Sequence, residues 1–305
     1  MASRGLVSIV VLNFNRARDT VECVESLQKM LYRTYRILVV DNYSTDDSFD
    51  LLQKLLSNVE LVRTRANLGY TGGINFGIKH VLDDGPEYVL LLNNDAVVEP
   101  DFLDNLVAAM EEEKKAAAAC GTIYCHHDKM RVWYAGGRFI PWRGLAVHDD
   151  RNAVLAPEKL NGIRHVSFIT GCLMLLRVSY LEDIGVEDER FFMYLDDIEL
   201  SARIRSKGYD LLYVPKAIIF HKVEGEKESA FKLYYSVRNR LMLIKTSVTG
   251  YTKIVAYVYF LIVISTKLFF WFFFNEKFFH AAFDGLHDYF SNNLYIGRGI
   301  AKFLD

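Results

Sequence analysis

Three apolar runs near the start of the chain end in the same way, in asparagine or aspartate. Leu6-Val7-Ser8-Ile9-Val10-Val11-Leu12 leads into Asn13-Phe14-Asn15, Arg36-Ile37-Leu38-Val39-Val40 into Asp41-Asn42, and Tyr88-Val89-Leu90-Leu91-Leu92 into Asn93-Asn94-Asp95. A continuous apolar run bounded by polar residues is the pattern of a strand buried on both faces of a parallel sheet. Between the runs, apolar residues recur at helical spacing: Val21, Val24, Leu27 and Met30, then Phe49, Leu51, Leu52, Leu55 and Leu56. Asp19 with Glu22 resembles a capping box, and Ser44 is placed to cap the second helix. Val59-Glu60-Leu61-Val62 adds a short strand. Alternation of this kind implies parallel βαβ units with right-handed crossovers. The polar tips then share one sheet edge, the edge where open α/β sheets bind ligands. Any one tip could be a helix cap; three in register favour a site.

A glycine-rich stretch, Asn67-Leu68-Gly69-Tyr70-Thr71-Gly72-Gly73-Ile74-Asn75-Phe76-Gly77, precedes a helix through Val81. It holds neither a dinucleotide fingerprint nor a Walker loop. Its glycines are expected to let backbone pass close to a ligand. Ala117 to Tyr124 reads as a further strand, and Arg131 to Asp150 as a hairpin or flap carrying Trp133, Tyr134 and Trp142. Trp142 could stack on a sugar or pack into the core. His165 to Ile169 leads to Thr170-Gly171-Cys172, followed by the apolar run Leu173 to Arg177.

Phe191-Phe192-Met193-Tyr194-Leu195 ends in Asp196-Asp197 at a helix start. A cap needs one aspartate there. A second one behind an aromatic wall suits general-base work if it is partly desolvated. Tyr209 to Val214 is the last strand, and Ile218-Ile219-Phe220-His221 follows it. A lone histidine after an apolar run is structural as a rule.

Lys+Arg 36 against Asp+Glu 38 leaves a net charge of −2, which gives no electrostatic footprint for nucleic acid. Cys23, Cys120, Cys125 and Cys172 form no Cys-x-x-Cys pair, which fits a reducing, cytoplasmic setting. Met1 to Arg4 shows no signal-peptide pattern. Aromatic residues crowd the end of the chain. Lys253 to Phe274 contains Tyr257 to Ile264 and Leu268 to Phe274, separated by Ser265-Thr266-Lys267. Its length is at the lower limit for a bilayer span, and Lys267 argues against a clean one. An interfacial segment, an oligomer interface through residues 251–280 and a single span remain open.

Taken in order, Val40-Asp41-Asn42 with Ser44 and Asp46, Asn67-Leu68-Gly69, Leu92-Asn93-Asn94-Asp95, Thr170-Gly171, Asp196-Asp197 and His221 resemble the inverting nucleotide-sugar glycosyltransferases of family two. Tyr234-Tyr235 with Arg238-Asn239 extends the resemblance toward a rhamnosyltransferase-like branch. It implies a GT-A fold, an α/β Rossmann-like, mostly parallel sheet flanked by helices, over residues 1–225. Residues 226–305 then form an apolar helical appendage. The resemblance implies donor-side positions at Asn13, Asn15, Asp41, Asn67, Gly72, Gly73, Asn93 and Asn94, with Asp41 reading the base. It implies Mn²⁺ or Mg²⁺ held by Asp95 and His221. Here the chain departs from the family's Asp-x-Asp motif, because Asn93 replaces the first aspartate. Asp197 matches the general base, and Asp196 stands where glutamate is usual. Thr170, Gly171 and Trp142 fall on the acceptor side. The implied donor is a dTDP- or UDP-linked sugar and the acceptor a glycan or lipid-linked glycan, at the inner face of the cell membrane.

Overall fold

The computed structural model describes residues 5–156, 160, 162–222 and 228–298. Residues 1–4, read above for a leader, and the division after residue 225 lie outside the described residues. The alternating start folds as read: β1 (Val7–Asn13), α1 (Ala17–Leu27), β2 (Tyr35–Asp41), α2 (Ser48–Leu55), β3 (Glu60–Arg63), α3 (Gly69–Leu82) and β4 (Tyr88–Asn93). β4, β1, β2 and β3 lie side by side and parallel. Asn13 pairs in register with Asp41, and Leu12 with Asn93, so the three polar tips share one edge.

Beyond β4 the sheet becomes mixed. β5 (Ala96–Val98) and α4 (Phe102–Glu112) lead to β6 (Ala116–Cys125), which is buried along its whole length. Its four consecutive alanines leave room for α4 on one face. β7 (Asp128–Tyr134) folds back on β6, and β8 (Gly137–Ile140) with β9 (Leu145–His148) forms a separate hairpin. β10 (Arg164–Val166) is shorter than the run His165 to Ile169 suggested. β11 (Leu173–Arg177) inserts antiparallel between β6 and β4. α5 (Leu181–Ile184) and α6 (Asp196–Ser206) precede β12 (Asp210–His221). That strand unites two apolar runs read separately. Its register shifts between Val214 and Ile218, around Pro215, which has no N–H to give the ladder.

Two helix starts differ from expectation. α1 begins at Ala17 without a side-chain cap, and Asp19 and Glu22 instead take the Lys222 ammonium at 2.8 and 2.6 Å. Ser44 does not cap α2: its hydroxyl donates to Asp41, and Asp46 accepts the Ser48 N–H. The glycines of α3 also play another part. They lie inside the helix, and Gly73 and Gly77 let it settle on the sheet. A Cβ at Gly73 would meet Leu12 at 2.6 Å, and one at Gly77 would meet Val10 at 2.4 Å. At Gly72 a Cβ would meet Leu68 at 2.8 Å.

The last quarter is helical: α7 (Ala230–Ser247), α8 (Gly250–Phe274) and α9 (Glu276–Phe290). α7 is integral to the sheet domain, since Met242 and Leu243 belong to the main core. α8 is not covered in the same way. Only Ala256, Phe260 and Ile264 are buried along its 25 residues. It is long and apolar enough to cross a membrane.

Candidate active site

At the edge where β1, β2 and β4 end, buried amides and hydroxyls interlock. Asn13 donates to Asp41 Oδ1 at 2.8 Å and to Ser44 Oγ at 3.1 Å, and accepts from Thr20 at 2.8 Å. Asn94 donates to Thr20 at 2.9 Å. Asp41 is wholly buried, and Ser44 N–H and the Arg63 guanidinium occupy its other oxygen. Asn15, with φ +54°, accepts from the Thr45 N–H at 2.8 Å. Asn67 accepts from Gly69 N–H and from Asn42. These residues are one connected network, and it keeps the carboxylate of Asp41 fully engaged.

Beside it opens a cleft of about 760 Å³, whose wall includes Asn93, Thr170, Gly171, Asp196, Asp197 and His221. Strand ends from distant segments create this convergence. β12 carries His221 past β5, so that Asp95 and His221 face each other, with His221 Nε2 3.0 Å from Asp95 Oδ1. Asp95 Oδ1 and His221 Nδ1 are buried and lack a directed hydrogen-bond partner. Burial works against charge on His221, while the Cys172 sulfur and Asp95 favour it, and the net effect raises the imidazole pKa. One oxygen and one imidazole at this separation can both reach a divalent ion at roughly 2.0–2.6 Å. They make half a shell. Among the described residues no third His, Cys, Asp or Glu joins them. Such half-shells suit an ion whose remaining positions belong to substrate phosphates and water.

On the wall that Thr170 and Gly171 form, Asp197 Oδ2 accepts the Gly171 N–H at 3.1 Å and Oδ1 accepts the Ile198 N–H at 2.8 Å. Burial pushes the Asp197 carboxyl up, and these N–H groups with the Thr170 hydroxyl hold the rise back. Asp196 is 4% exposed and is pushed further up, by burial and then by the charge of Asp197. Both carboxyls are thus raised, Asp196 more than Asp197. Trp142 lies away from this wall, with its ring edge-on to Tyr259 of α8 at 5.1 Å.

Several participants were not read from the sequence. Tyr70 donates to the Gly171 carbonyl at 2.8 Å and closes the floor of the cleft. Trp133 stands edge-on to His221 at 4.8 Å. Glu187 is 3% exposed, both carboxylate oxygens lack a partner, and burial with the charges of Asp196 and Asp197 raises its pKa. Lys232 and Ser236 of α7 reach the cleft rim. Trp133 had been read only as part of the flap, and the others had no local signal; each depends on a chain crossing. Arg238 and Asn239 did have one, and they prove to act from behind the cleft. Asn239 donates to the carbonyls of Phe191, Met193 and Tyr194 at 2.9, 2.8 and 2.9 Å. Arg238 donates to those of Arg190, Phe191 and Tyr295. They clamp the loop that delivers Asp196 and Asp197, in which Phe192, Tyr194 and Leu195 all have positive φ.

Comparison with known proteins gives the family and the fold. Residues 8–185 match the model of glycosyl transferase family 2. The N-acetylglucosaminyl-diphospho-decaprenol L-rhamnosyltransferase of Mycobacterium tuberculosis is 26% identical over 235 residues, covering 71% of this chain and 76% of that protein. A mannosyltransferase from Pyrobaculum calidifontis, solved with GDP-Man and Mn²⁺, superimposes with a TM-score of 0.59 at 14% identity, over 95% of this chain and 88% of its own. GalNAc-T7, solved with UDP, GalNAc and Mn²⁺, gives 0.62 at 17% identity over 80% of this chain, which spans 48% of that one. The architecture is the GT-A fold. With more than half of its length inside the family model, the chain belongs to glycosyl transferase family 2 and is a nucleotide-sugar-dependent glycosyltransferase.

Proposed function

We propose that this enzyme moves a sugar, rhamnose in the first instance, from a dTDP- or UDP-linked donor to a hydroxyl of a lipid-linked glycan, with inversion at the anomeric carbon. The observation that carries the reading is Asp197, held by two backbone N–H groups on the wall of a cleft that also contains Asn93 and His221. A carboxylate has about four acceptor positions, so two N–H donors fix its orientation and leave room for an incoming hydroxyl. Asp197 takes the proton of that hydroxyl as it attacks. Asp196 and Glu187 stay neutral, because several buried carboxylates this close cannot all ionise. The base is then a single anion facing the substrate. Inversion in one displacement needs a base on the face opposite the leaving group, as in inverting glycoside hydrolysis.

On the donor side, the network of Asn13, Asn15, Asp41, Asn67 and Asn94, with Asn93 on the cleft wall beside it, takes the nucleotide. Asp41 acts by fixing Ser44 and Arg63, since its own oxygens are engaged. Asp95 and His221 would hold the Mn²⁺ or Mg²⁺ ion, which when bound neutralises charge on the departing diphosphate. The imidazole favours Mn²⁺ slightly. Thr170 and Gly171 line the acceptor side. The relative's name specifies a diphospho-decaprenol acceptor, and the exposed apolar α8 suits a lipid-linked substrate met at the inner face of the membrane, with α8 lying in the interface. The test is a screen of dTDP- and UDP-sugars for nucleoside diphosphate release, with and without Mn²⁺. dTDP-rhamnose turned over with Mn²⁺ supports the reading. Release from another sugar alone would move the donor assignment, and release from none would overturn it.

A further inference from the structure

Among the described residues, two arginines stand together without an acid. Arg143 ends the turn Pro141–Arg143 at the tip of the β8–β9 hairpin, and Arg240 lies on α7. Arg240 donates to the Arg143 carbonyl through Nε at 3.2 Å and Nη2 at 2.7 Å. Both guanidinium carbons lie near the Tyr259 ring, 5.8 and 5.6 Å from its centre. Among the described residues neither has a carboxylate within ion-pair distance, and Arg143 Nε is buried with no hydrogen-bond partner. Elsewhere the fold satisfies its buried guanidiniums: Arg177 donates to Ala116 and Tyr88, and Arg238 to three carbonyls. Burial depresses the Arg240 pKa; Tyr259 opposes this and the neighbouring Arg143 adds to it. Two cations in partly desolvated surroundings with unused N–H groups are a receptor for an anion.

The position of the pair says which anion. β9, on the far side of the hairpin tip, contributes Val147 and His148 to the cleft wall. Gly144, at φ +57°, seats the tip against Ile244 of α7, where a Cβ would come within 2.5 Å of that side chain. Along α7, Lys232 and Ser236 line the cleft, and Arg240 follows one turn later, about 6 Å further on. On the other side begins the exposed face of α8, where Val258 and Ile262, flanking Tyr259, are 51% and 62% exposed. A cleft for sugars, a cationic step and an apolar helix therefore follow one another.

We propose that Arg143 and Arg240 bind the phosphate of the lipid-linked acceptor, with its glycan in the cleft and its hydrocarbon along α8. This rests on the lipid-linked acceptor proposed above. Guanidinium forks match phosphate oxygens two at a time, which a lysine ammonium does not.

The test uses the full chain and three probes: farnesyl diphosphate, inorganic pyrophosphate and farnesol, with binding read by calorimetry. The wild type is expected to bind farnesyl diphosphate more tightly than either fragment. Arg143→Gln should weaken that binding at least about fivefold, the loss of one charge-assisted contact. It should leave farnesol binding, nucleotide affinity and acceptor-independent donor hydrolysis unchanged. Among the described residues the Arg143 side chain makes no hydrogen bond, and its carbonyl, which accepts from Arg240, is kept in Arg143→Gln, so the replacement leaves the fold intact; Arg240→Lys, which keeps charge but loses the fork, should weaken the same probe. A smaller loss in both variants overturns the proposal, as does pyrophosphate binding equal to farnesyl diphosphate, which would mark a site for free anions only. Donor hydrolysis reports separately on the transferase reading, so the two fail distinguishably.

Discussion

At the scale of single residues, the proposed site depends on which carboxylates carry charge. Asp197 accepts the Gly171 and Ile198 N–H groups, whereas both carboxylate oxygens of Glu187 lack a partner. Because the Asp197 carboxyl is raised, it is protonated on the acid side and cannot accept a proton there. kcat/KM is therefore expected to fall as pH drops through a midpoint above the ordinary aspartate value of about 4; a midpoint at or below that value in a pH–rate profile would place the base elsewhere. Glu187 gives the matching stability signature. Its pKa is raised in the folded state, so its ionisation favours the unfolded chain, and stability is lost as pH rises from the ordinary glutamate value toward the folded one. The benefit of Glu187→Gln should accordingly grow between pH 4 and pH 8 in thermal melts, and an equal shift at both would show that Glu187 is ionised and paired. The adjacent acids at a helix start were plain in the sequence. Glu187 was not, since an acid two residues after Gly185 carries no sign that the loop buries it.

At the scale of elements, close approach and clamping position the site. Gly77→Ala weighs two effects. Alanine gains roughly 0.5–1 kcal/mol over glycine in a helix interior. A Cβ only 2.4 Å from Val10 Cγ1 in a fully buried strand overpacks it, at about 1–3 kcal/mol. Net destabilisation is expected in a denaturant titration; a more stable variant would mean that α3 can lift from β1 freely. The loop Arg190–Leu195 presents the second case. Three non-glycine residues at positive φ cost of the order of 1 kcal/mol or more each and persist because Arg238 and Asn239 hold the carbonyls of Arg190, Phe191, Met193 and Tyr194 in and around them. Asn239→Ala removes the donor to three carbonyls and the acceptor for Arg238 Nε, each bond worth about 0.5–1.5 kcal/mol, and should lower turnover more than donor affinity. Strand and helix order was legible here because period and burial coincide. The clamp was visible as Arg238-Asn239, but its object was not, because it lies 45 to 48 residues away. The glycines misled for a related reason: a sequence shows a missing side chain, but not whether ligand or neighbouring strand fills the space.

At the scale of the whole molecule, the last quarter has two characters. α9 is structural: Asp288 takes the Tyr234 hydroxyl, and the Tyr295 carbonyl beyond it takes Arg238. Deletion from Tyr251 onward would therefore loosen the catalytic loop along with α8. Point changes separate the two. Phe269 and Phe273 are 72% and 62% exposed, so Phe269→Asp with Phe273→Asp should abolish co-sedimentation with lipid vesicles while leaving the melting temperature almost unchanged. Retained vesicle binding would exclude α8 as the membrane contact. The sequence announced this helix by composition alone, and three roles remained open because composition does not say which face is covered. The structure shows the face bare along most of its length.

The most direct measurement pairs donor affinity by calorimetry with turnover for Asp197→Asn. Donor binding is expected to stay close to wild type and turnover to fall by about 10²–10⁴-fold, because the amide keeps its place beside Gly171 but cannot take a proton. Near-normal turnover in that variant would contradict the role of Asp197 as base.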